Sequence, residues 1–207
     1  MEEILSFIST TDGSFRYVFL AGLSFLISMG IIPTTTDLIL VCTGVLSQMG
    51  YISPIIAIPL VMLSITIGES LLFLIGRKLG EEVFGFKFVK SVINEKKQEY
   101  LKDLLANNEK KALFILRFTP FFKATVLFAA SCLGLSSKTF RNKYIPLTLA
   151  YAFIYMVLPY YLASFFEFTP KGFLFCIAIV FFSLLLIQFF VFNRTSAYKT
   201  VGITAHE

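Results

Sequence analysis

The sequence has no tryptophan and a single histidine, His206, one residue before its end. The rest of the chain therefore holds neither a Ser–His–Asp triad nor a histidine-containing metal site, which excludes most hydrolases. Its three cysteines, Cys42, Cys132 and Cys176, lie within apolar runs and lack paired spacing, so they are expected to be free thiols. We expect no enzyme activity and no metal or organic cofactor.

Charged residues are absent from two long stretches, Tyr144–Phe166 and Phe173–Phe192, and apolar residues make up 57% of the chain. A soluble domain of 207 residues cannot bury that much apolar surface, so the sequence indicates an all-α integral membrane protein. The net charge of +5 is typical of basic cytoplasmic loops, and we expect the membrane, not nucleic acid, as the partner. The start, Met1–Ile4, lacks the basic region of a signal peptide, so no cleaved segment is expected.

Four apolar runs are long enough to cross a hydrocarbon layer of about 30 Å, which takes about 20 helical residues. They are Phe15–Ile32, Ile52–Ile75, Tyr144–Phe166 and Phe173–Phe192. The sequence therefore predicts about four transmembrane helices in a membrane domain of residues 15–192. A cytoplasmic segment, 1–14, is expected before this domain and a cytoplasmic tail, 193–207, after it.

Two further apolar runs, 33–50 and 112–135, are interrupted by Pro33 and Pro120 and are predicted to be re-entrant loops. In the first, Leu38–Met49 provides about 18 Å of helix, which reaches only partway across a bilayer. Broken backbone at membrane depth must be covered by protein or face water, so we expect the two loops to face each other around a cavity. Each run has a proline, a charge soon after it and a glycine near its end, as an inverted repeat would leave.

The stretch between the two loops is strongly charged. Arg77–Lys111 carries nine Lys or Arg and six Asp or Glu, with apolar residues at helical spacing. This pattern predicts an amphipathic connector over about 77–111 that lies on the membrane or on the rest of the protein. With the connector in the cytoplasm, Lys171 is the one flanking basic residue that falls outside, so both termini are expected in the cytoplasm.

Four charged residues, Asp37, Glu69, Arg117 and Lys123, are predicted to lie at membrane depth, where each costs at least about 2.5 to 3.5 kcal/mol. Arg117 and Lys123 flank Pro120, and a planar fork together with a mobile point charge suits a phosphate. Asp37 and Glu69 can carry protons or act as counter-ions, and the sequence leaves both roles open. The alternative is that all four residues form structural ion pairs.

Two threonines, Thr35 and Thr36, come directly before Asp37. Their hydroxyls can satisfy backbone groups of an unwound turn or contact an ion or a lipid head group. We include both with the two cations as candidate substrate-binding residues. A sodium site built from these hydroxyls and Asp37 is a weaker alternative.

Three motifs follow one another along the chain. The run 33–50 has an acid after its opening turn, the run 68–80 begins Gly-Glu and ends Gly-Arg-Lys-Leu-Gly, and the run 117–123 reads Arg-Phe-Thr-Pro-Phe-Phe-Lys. In this order they resemble the DedA family, whose membrane domain is also called the VTT or SNARE-associated domain, over roughly residues 30–165. The expected structural residues of these motifs are Pro33, Gly76, Arg77, Gly80 and Pro120.

Three positions depart from the family pattern. Thr35 and Thr36 stand in place of Pro-Gly, Lys123 in place of an arginine, and Ala130 in place of a glycine. A lysine keeps the charge of arginine but loses its fork, so the second contact to a phosphate would be a point charge.

The resemblance implies two re-entrant loops that meet near the bilayer centre, and transport of lipids between leaflets. Bacterial members return undecaprenyl phosphate to the cytoplasmic face, and eukaryotic relatives are similar to phospholipid scramblases. We therefore expect a proton-coupled flippase of the bacterial cytoplasmic (inner) membrane for polyprenyl phosphate or a related anionic phospholipid. The alternatives are a proton-driven antiporter for a small solute or cation, a scramblase, and a membrane scaffold; a homodimer is left open.

Overall fold

The computed structural model describes residues 13–32, 35–85, 95–107, 112–113, 116–117 and 123–164, and the single positions 178, 182 and 186. All regular structure in these residues is helical, as the sequence predicts. The helices are α1 (Gly13–Ser28), α2 (Thr36–Gln48), α3 (Pro54–Leu79), α4 (Glu95–Asn107), α5 (Lys123–Cys132) and α6 (Ser137–Ala163). A 3-10 turn, Gly80–Gly85, follows α3, and α6 contains a π-helical turn, Phe140–Tyr144.

Two of the described helices are long and apolar enough to cross a membrane, namely α3 with its following turn and α6. Helix α3 continues past the predicted end at Ile75 to Leu79, because Arg77 and Lys78 interact favourably with the negative end of the helix dipole. Helix α6 begins at Ser137, before the apolar run itself. There the Ser136 hydroxyl caps the helix by accepting a hydrogen bond from the Thr139 N–H at 3.1 Å.

The other two predicted spans are not established by the described residues. Helix α1 has 16 residues, about 24 Å at a rise of about 1.5 Å per residue, which is shorter than a full span. The run 173–192 and the terminal segments 1–14 and 193–207 lie outside the described residues, apart from 13, 14, 178, 182 and 186. Four spans and their orientation therefore stay predictions.

The two ends of the helical bundle are each marked by side-chain hydrogen bonds. At the first end, Arg16 of α1 donates to the Tyr51 carbonyl at 2.9 Å, and the Tyr17 hydroxyl accepts from the Ser53 N–H at 2.8 Å. At the second end, Arg77 donates to the hydroxyl of Ser137. Helix α3 therefore runs from the first end to the second, and α6 begins at the second end and runs back.

Helices α1 and α2 form a hairpin that begins and ends at the first end of the bundle. Helix α1 runs inward until Ser28 packs on Gly68, which lies well inside α3. Helix α2 starts in the interior, with Thr36 and Asp37 both buried, and returns to Tyr51.

The described residues of 112–135, which we call the second hairpin, run in the opposite direction. Its first residues include Leu113, which belongs to the same apolar core as Val83 and Leu101 near the second end. Helix α5 starts in the interior with buried Lys123 and runs back to the second end, where Gly76 packs on its residue Phe128. Thus α2 and α5 begin close together and run to opposite ends, an inverted arrangement; whether the two hairpins are re-entrant in a bilayer stays a prediction.

A glycine with a positive φ follows each of the two helices that begin in the interior, α2 and α5. Gly50 after α2 and Gly134 after α5 have φ values of 78° and 95°, a left-handed conformation that costs glycine little. In both cases the next N–H reaches back to a helix carbonyl, Tyr51 to Leu46 at 3.1 Å and Leu135 to Ala130 at 2.9 Å. The chain is thereby turned sharply into the following long helix in each half.

Helix α4 lies within the predicted amphipathic connector. Its Leu101 and Leu104 are buried, whereas Lys102 and Asp103 are exposed. Lys102 also forms an ion pair of 2.7 Å with Glu81 of the turn after α3. This helix therefore packs on the second end of the bundle by its apolar side.

The outer face of α3 is apolar and exposed. Leu63 is 59% and Ile67 53% exposed, and Leu71 and Leu74 continue the same helical face. An apolar face of this length fits a hydrocarbon environment, in agreement with the membrane character expected from composition.

Close backbone contact joins α2 to α6 at Gly44. A Cβ atom at this position would lie 2.2 Å from the Met156 carbonyl oxygen, which is backbone and cannot turn away. We expect Gly44→Ala to lower the free energy of unfolding by about 1–3 kcal/mol, as overpacking does. The matched control is Gly22→Ala in α1, where nothing lies within 4 Å; it should be neutral or slightly stabilising. Equal stability of the two variants in detergent would contradict the contact.

Candidate functional site

Asp37 and Lys123 lie in the first turns of α2 and α5, where these two helices begin. The Lys123 ammonium donates a hydrogen bond to Asp37 Oδ1 and another to the Tyr151 hydroxyl, the latter at 2.8 Å. Tyr151 in turn donates to Asp37 Oδ1 at 2.7 Å. Tyr151, a neutral residue of α6, therefore hydrogen-bonds both members of this first ion pair.

A second ion pair joins Arg117 to Glu69 of α3. Arg117 Nη1 donates to Glu69 Oε1 at 2.6 Å, and Glu69 Oε2 accepts from the Thr148 hydroxyl at 3.0 Å. The Arg117 side chain is 0% exposed. Both oxygens of the carboxylate therefore have partners, whereas only one nitrogen of the guanidinium is used by this pair.

The Tyr151 ring lies against both cations. The Arg117 Cζ is 4.3 Å and the Lys123 Nζ 4.4 Å from its centroid, distances at which a cation is attracted to an aromatic face. Tyr155, one helical turn further, stacks on this ring with centroids 4.0 Å apart. Tyr151 therefore links the two ion pairs into one cluster, which we call the central charge cluster: Asp37, Glu69, Arg117, Lys123 and Tyr151.

The central charge cluster lies away from both ends of the bundle. Glu69 is about 24 Å along α3 from Ser53 at the first end and about 12 Å from Arg77 at the second, at about 1.5 Å per residue. Tyr151 is about 21 Å along α6 from Ser137 by the same measure. Four ionised groups at this depth neutralise one another, because an isolated charge there would be costly.

Several buried polar atoms around the cluster have no hydrogen-bond partner. Among the described residues they include Arg117 Nε and Nη2, the Tyr144 hydroxyl and the hydroxyls of Thr35 and Thr36. Buried polar groups are nearly always hydrogen-bonded, so each of these atoms calls for an explanation. Most are donors, and the positive ends of α2 and α5 are close by, so the arrangement suits an anion.

The structure brings together all four charges predicted to lie at membrane depth, and it gives the pairs that the sequence left open: Asp37 with Lys123, and Glu69 with Arg117. Thr35 and Thr36 are buried at the start of α2, next to Asp37. The predicted structural prolines, Pro33 and Pro120, lie outside the described residues.

The other predicted structural residues lie toward the second end of the bundle. A Cβ atom on Gly76 would be 2.9 Å from the Phe128 carbonyl oxygen, so this glycine permits the close approach of α5 to α3. Arg77 hydrogen-bonds Ser137, and Gly80, with φ 62°, ends α3. These three residues stabilise the second end of the bundle and do not contact the central charge cluster.

The contribution of α6 was missed by the sequence reasoning, which took this helix as a plain apolar span. Its polar residues Tyr144, Thr148, Tyr151 and Tyr155 follow one another at intervals of four, three and four. This spacing puts them on one helical face, and polar groups on one face of an apolar helix are the signal that was available.

Within the described residues there is no group of three or more His, Cys, Asp or Glu side chains arranged to hold a metal ion. The two acids of the cluster are each engaged by a cation instead. The described side chains of the site offer charge pairing and hydrogen bonding.

Span-length apolar helices, with buried ion pairs where α2 and α5 begin, indicate in the described part of the chain a membrane protein with an internal polar site. The family model for the VTT domain matches residues 32–154, more than half of the chain and every residue of the central charge cluster. The chain belongs to this family, the VTT domain of the DedA membrane proteins. Searches of curated proteins and of solved structures gave no match.

Proposed function

We propose that this protein moves an anionic lipid phosphate, such as undecaprenyl phosphate, between the leaflets of the bacterial cytoplasmic membrane. The observation that carries the proposal is fully buried Arg117, with Nε and Nη2 unpartnered beside a second cation, Lys123. Neither residue acts on a covalent bond in this proposal. The protein is a transporter, multi-pass with both termini in the cytoplasm, and not an enzyme.

A phosphate fits the donors that surround these cations. The guanidinium presents a planar fork, and phosphate oxygens accept two parallel hydrogen bonds from such a fork. Lys123 begins α5, so the backbone dipole adds positive potential to its charge. The hydroxyls of Thr35 and Thr36 at the start of α2 offer further donors. A carboxylate has two oxygens and would use fewer of these donors than a phosphate ester, which has three free oxygens.

Charge balance supports coupling of the transport to protons. The central charge cluster holds two acids and two bases, so it is neutral before a phosphate enters. A bound phosphate competes for Arg117 and Lys123 and leaves Asp37 and Glu69 with less positive charge nearby. The low-dielectric interior disfavours uncompensated charge, so a proton that enters with the anion keeps the cluster close to neutral. Phosphate entry and proton uptake are therefore linked.

The experiment that tests the function is transport in liposomes that contain the purified protein. Undecaprenyl phosphate, undecaprenol and phosphatidylcholine, each labelled, are followed from one leaflet to the other. Transport of the phosphate alone supports the proposal. Equal movement of all three lipids would make the protein a scramblase, and proton flux driven by a small solute without any lipid phosphate would make it an antiporter.

Proton coupling gives a prediction about pH. We expect transport of undecaprenyl phosphate to speed up when the side of entry is made more acidic than the side of release, because protons enter with the phosphate. Asp37→Asn should abolish this dependence on the gradient, since the amide keeps a hydrogen-bond acceptor but takes up no proton. The same change at Asp103, which is exposed on α4, is the control and should leave the dependence intact. A response to pH that survives in Asp37→Asn would exclude Asp37 as the coupling group.

A further inference from the structure

The π-helical turn Phe140–Tyr144 interrupts the otherwise α-helical α6. Its hydrogen bond runs from the Ile145 N–H to the Phe140 carbonyl, one residue wider than in an α-helix. Such a turn rotates the side chains on either side of it relative to each other, and π turns within α-helices are frequent at functional sites. Tyr144 is the last residue of this turn and is buried.

Tyr144 is held by its ring and not by its hydroxyl. The ring stacks on Phe140 with centroids 5.2 Å apart, and Phe140 stacks on Phe73 of α3 at 4.1 Å. The residue is only 1% exposed. Its hydroxyl lies beside Arg117 and Thr148 without a hydrogen bond of normal geometry to either. The Tyr144 hydroxyl is thus fixed in the interior, and its O–H donates no hydrogen bond.

The unused donors of Tyr144 and Arg117 belong to one place in the site. Glu69 takes Nη1 of Arg117, which leaves Nε and Nη2, and the Tyr144 hydroxyl lies beside the same guanidinium. The Tyr144 oxygen accepts no hydrogen bond from the guanidinium here, and a guanidinium has no acceptor that could take the hydroxyl proton. A group that accepts from both would satisfy all three atoms.

Building on the proposed function, we propose that Tyr144 is a further substrate-binding residue, whose hydroxyl donates to a phosphate oxygen that Nε or Nη2 of Arg117 also binds. It favours an anionic head group over a neutral one, because a strong acceptor must approach both donors at once.

Tyr144→Phe tests this role because stability and binding should change in opposite directions. A buried hydroxyl without a partner is destabilising, so its removal should raise the thermal unfolding temperature of the lipid-free protein. The same variant should bind farnesyl phosphate about 10-fold or more weakly, since a hydrogen bond to a charged group is lost. A residue with only a packing role would show the first change without the second.

Tyr17→Phe is the matched control. The Tyr17 hydroxyl accepts a hydrogen bond from the Ser53 N–H at the first end of the bundle, far from the central charge cluster. Its removal should lower the unfolding temperature and leave the affinity for farnesyl phosphate unchanged. Removal of the hydroxyl should therefore raise the unfolding temperature at Tyr144 and lower it at Tyr17.

Binding is measured on the full-length protein in detergent with farnesyl phosphate, with farnesol as the neutral probe and inorganic phosphate as the free anion. The proposal is supported if Tyr144→Phe weakens farnesyl phosphate alone and raises the unfolding temperature. It is overturned if the affinity of Tyr144→Phe equals that of the parent while Arg117→Ala abolishes binding, an outcome that leaves the proposed function intact. If the parent binds no farnesyl phosphate and moves no undecaprenyl phosphate, both proposals fail together.

Discussion

Arg117→Leu is expected to lose transport of undecaprenyl phosphate by at least about 100-fold, because two charge-assisted hydrogen bonds to the phosphate are removed. It should also lower the free energy of unfolding by about 3–5 kcal/mol, since Glu69 is left as an unpaired buried charge. The first effect is measured in liposomes, the second by unfolding in detergent. Loss of transport alone would not separate a substrate contact from a structural one.

The double variant Arg117→Leu/Glu69→Leu makes that separation. A buried ion pair replaced by apolar residues of similar size leaves stability roughly unchanged or raises it, so the double variant should recover most of the loss. Transport should stay abolished, because the phosphate still lacks its fork. If the double variant both folds and transports, Arg117 serves only to hold α3 to the second hairpin, and the phosphate role assigned to it is wrong.

Exchange of the other pair, Asp37→Lys with Lys123→Asp, is expected to keep the fold and reduce transport by about 10-fold or more. The ion pair is retained in reverse, and the Tyr151 hydroxyl can both donate and accept, so each new side chain still has a partner. Transport falls because the cation now sits at the start of α2 and an acid stands where the phosphate would approach.

The single variant Asp37→Lys is the reference for this exchange. It places two ammonium groups together in the interior and should cost about 3–5 kcal/mol, most of which the exchange should recover. A scaffold whose charges serve only to hold the hairpins would keep full activity after the exchange. Normal transport by the exchanged variant, with its stability restored, would therefore favour the scaffold over the transporter.

The identity of the buried charges could be read from the sequence, but their pairing could not. Asp37 and Arg117 stand out because an ionised residue within an apolar run is costly unless it has a function or a partner. Their partners are 86 and 48 residues away along the chain, and no local pattern measures such distances. Pairing follows from how the two hairpins meet, which is a property of the packed fold.

Helix ends and aromatic residues show two further limits. The predicted span 52–75 ends before Arg77 and Lys78, yet Arg77 lies inside α3 because a cation is stabilised in the last turn of a helix. Tyrosine counts as apolar when uncharged runs are sought. Tyr144 and Tyr151 were therefore taken as part of an apolar run, although their hydroxyls face the site. Hydrophobicity summed over a window does not report on which side of a helix a single polar atom lies.

The order in which the two hairpins are synthesised affects how the chain inserts into the membrane. Asp37 and Glu69 both leave the ribosome well before Lys123 and Arg117, and no cation of the first hairpin is placed to neutralise them in the described structure. Until the second hairpin is synthesised, the two acids therefore lack the cations that neutralise them in the folded structure, and burial of an unpaired charge is costly. The first hairpin should therefore complete its insertion only after all of its own residues have been synthesised. A nascent chain arrested before residue 112 should remain open to extraction by quality-control proteases, whereas one arrested after residue 164 should resist them.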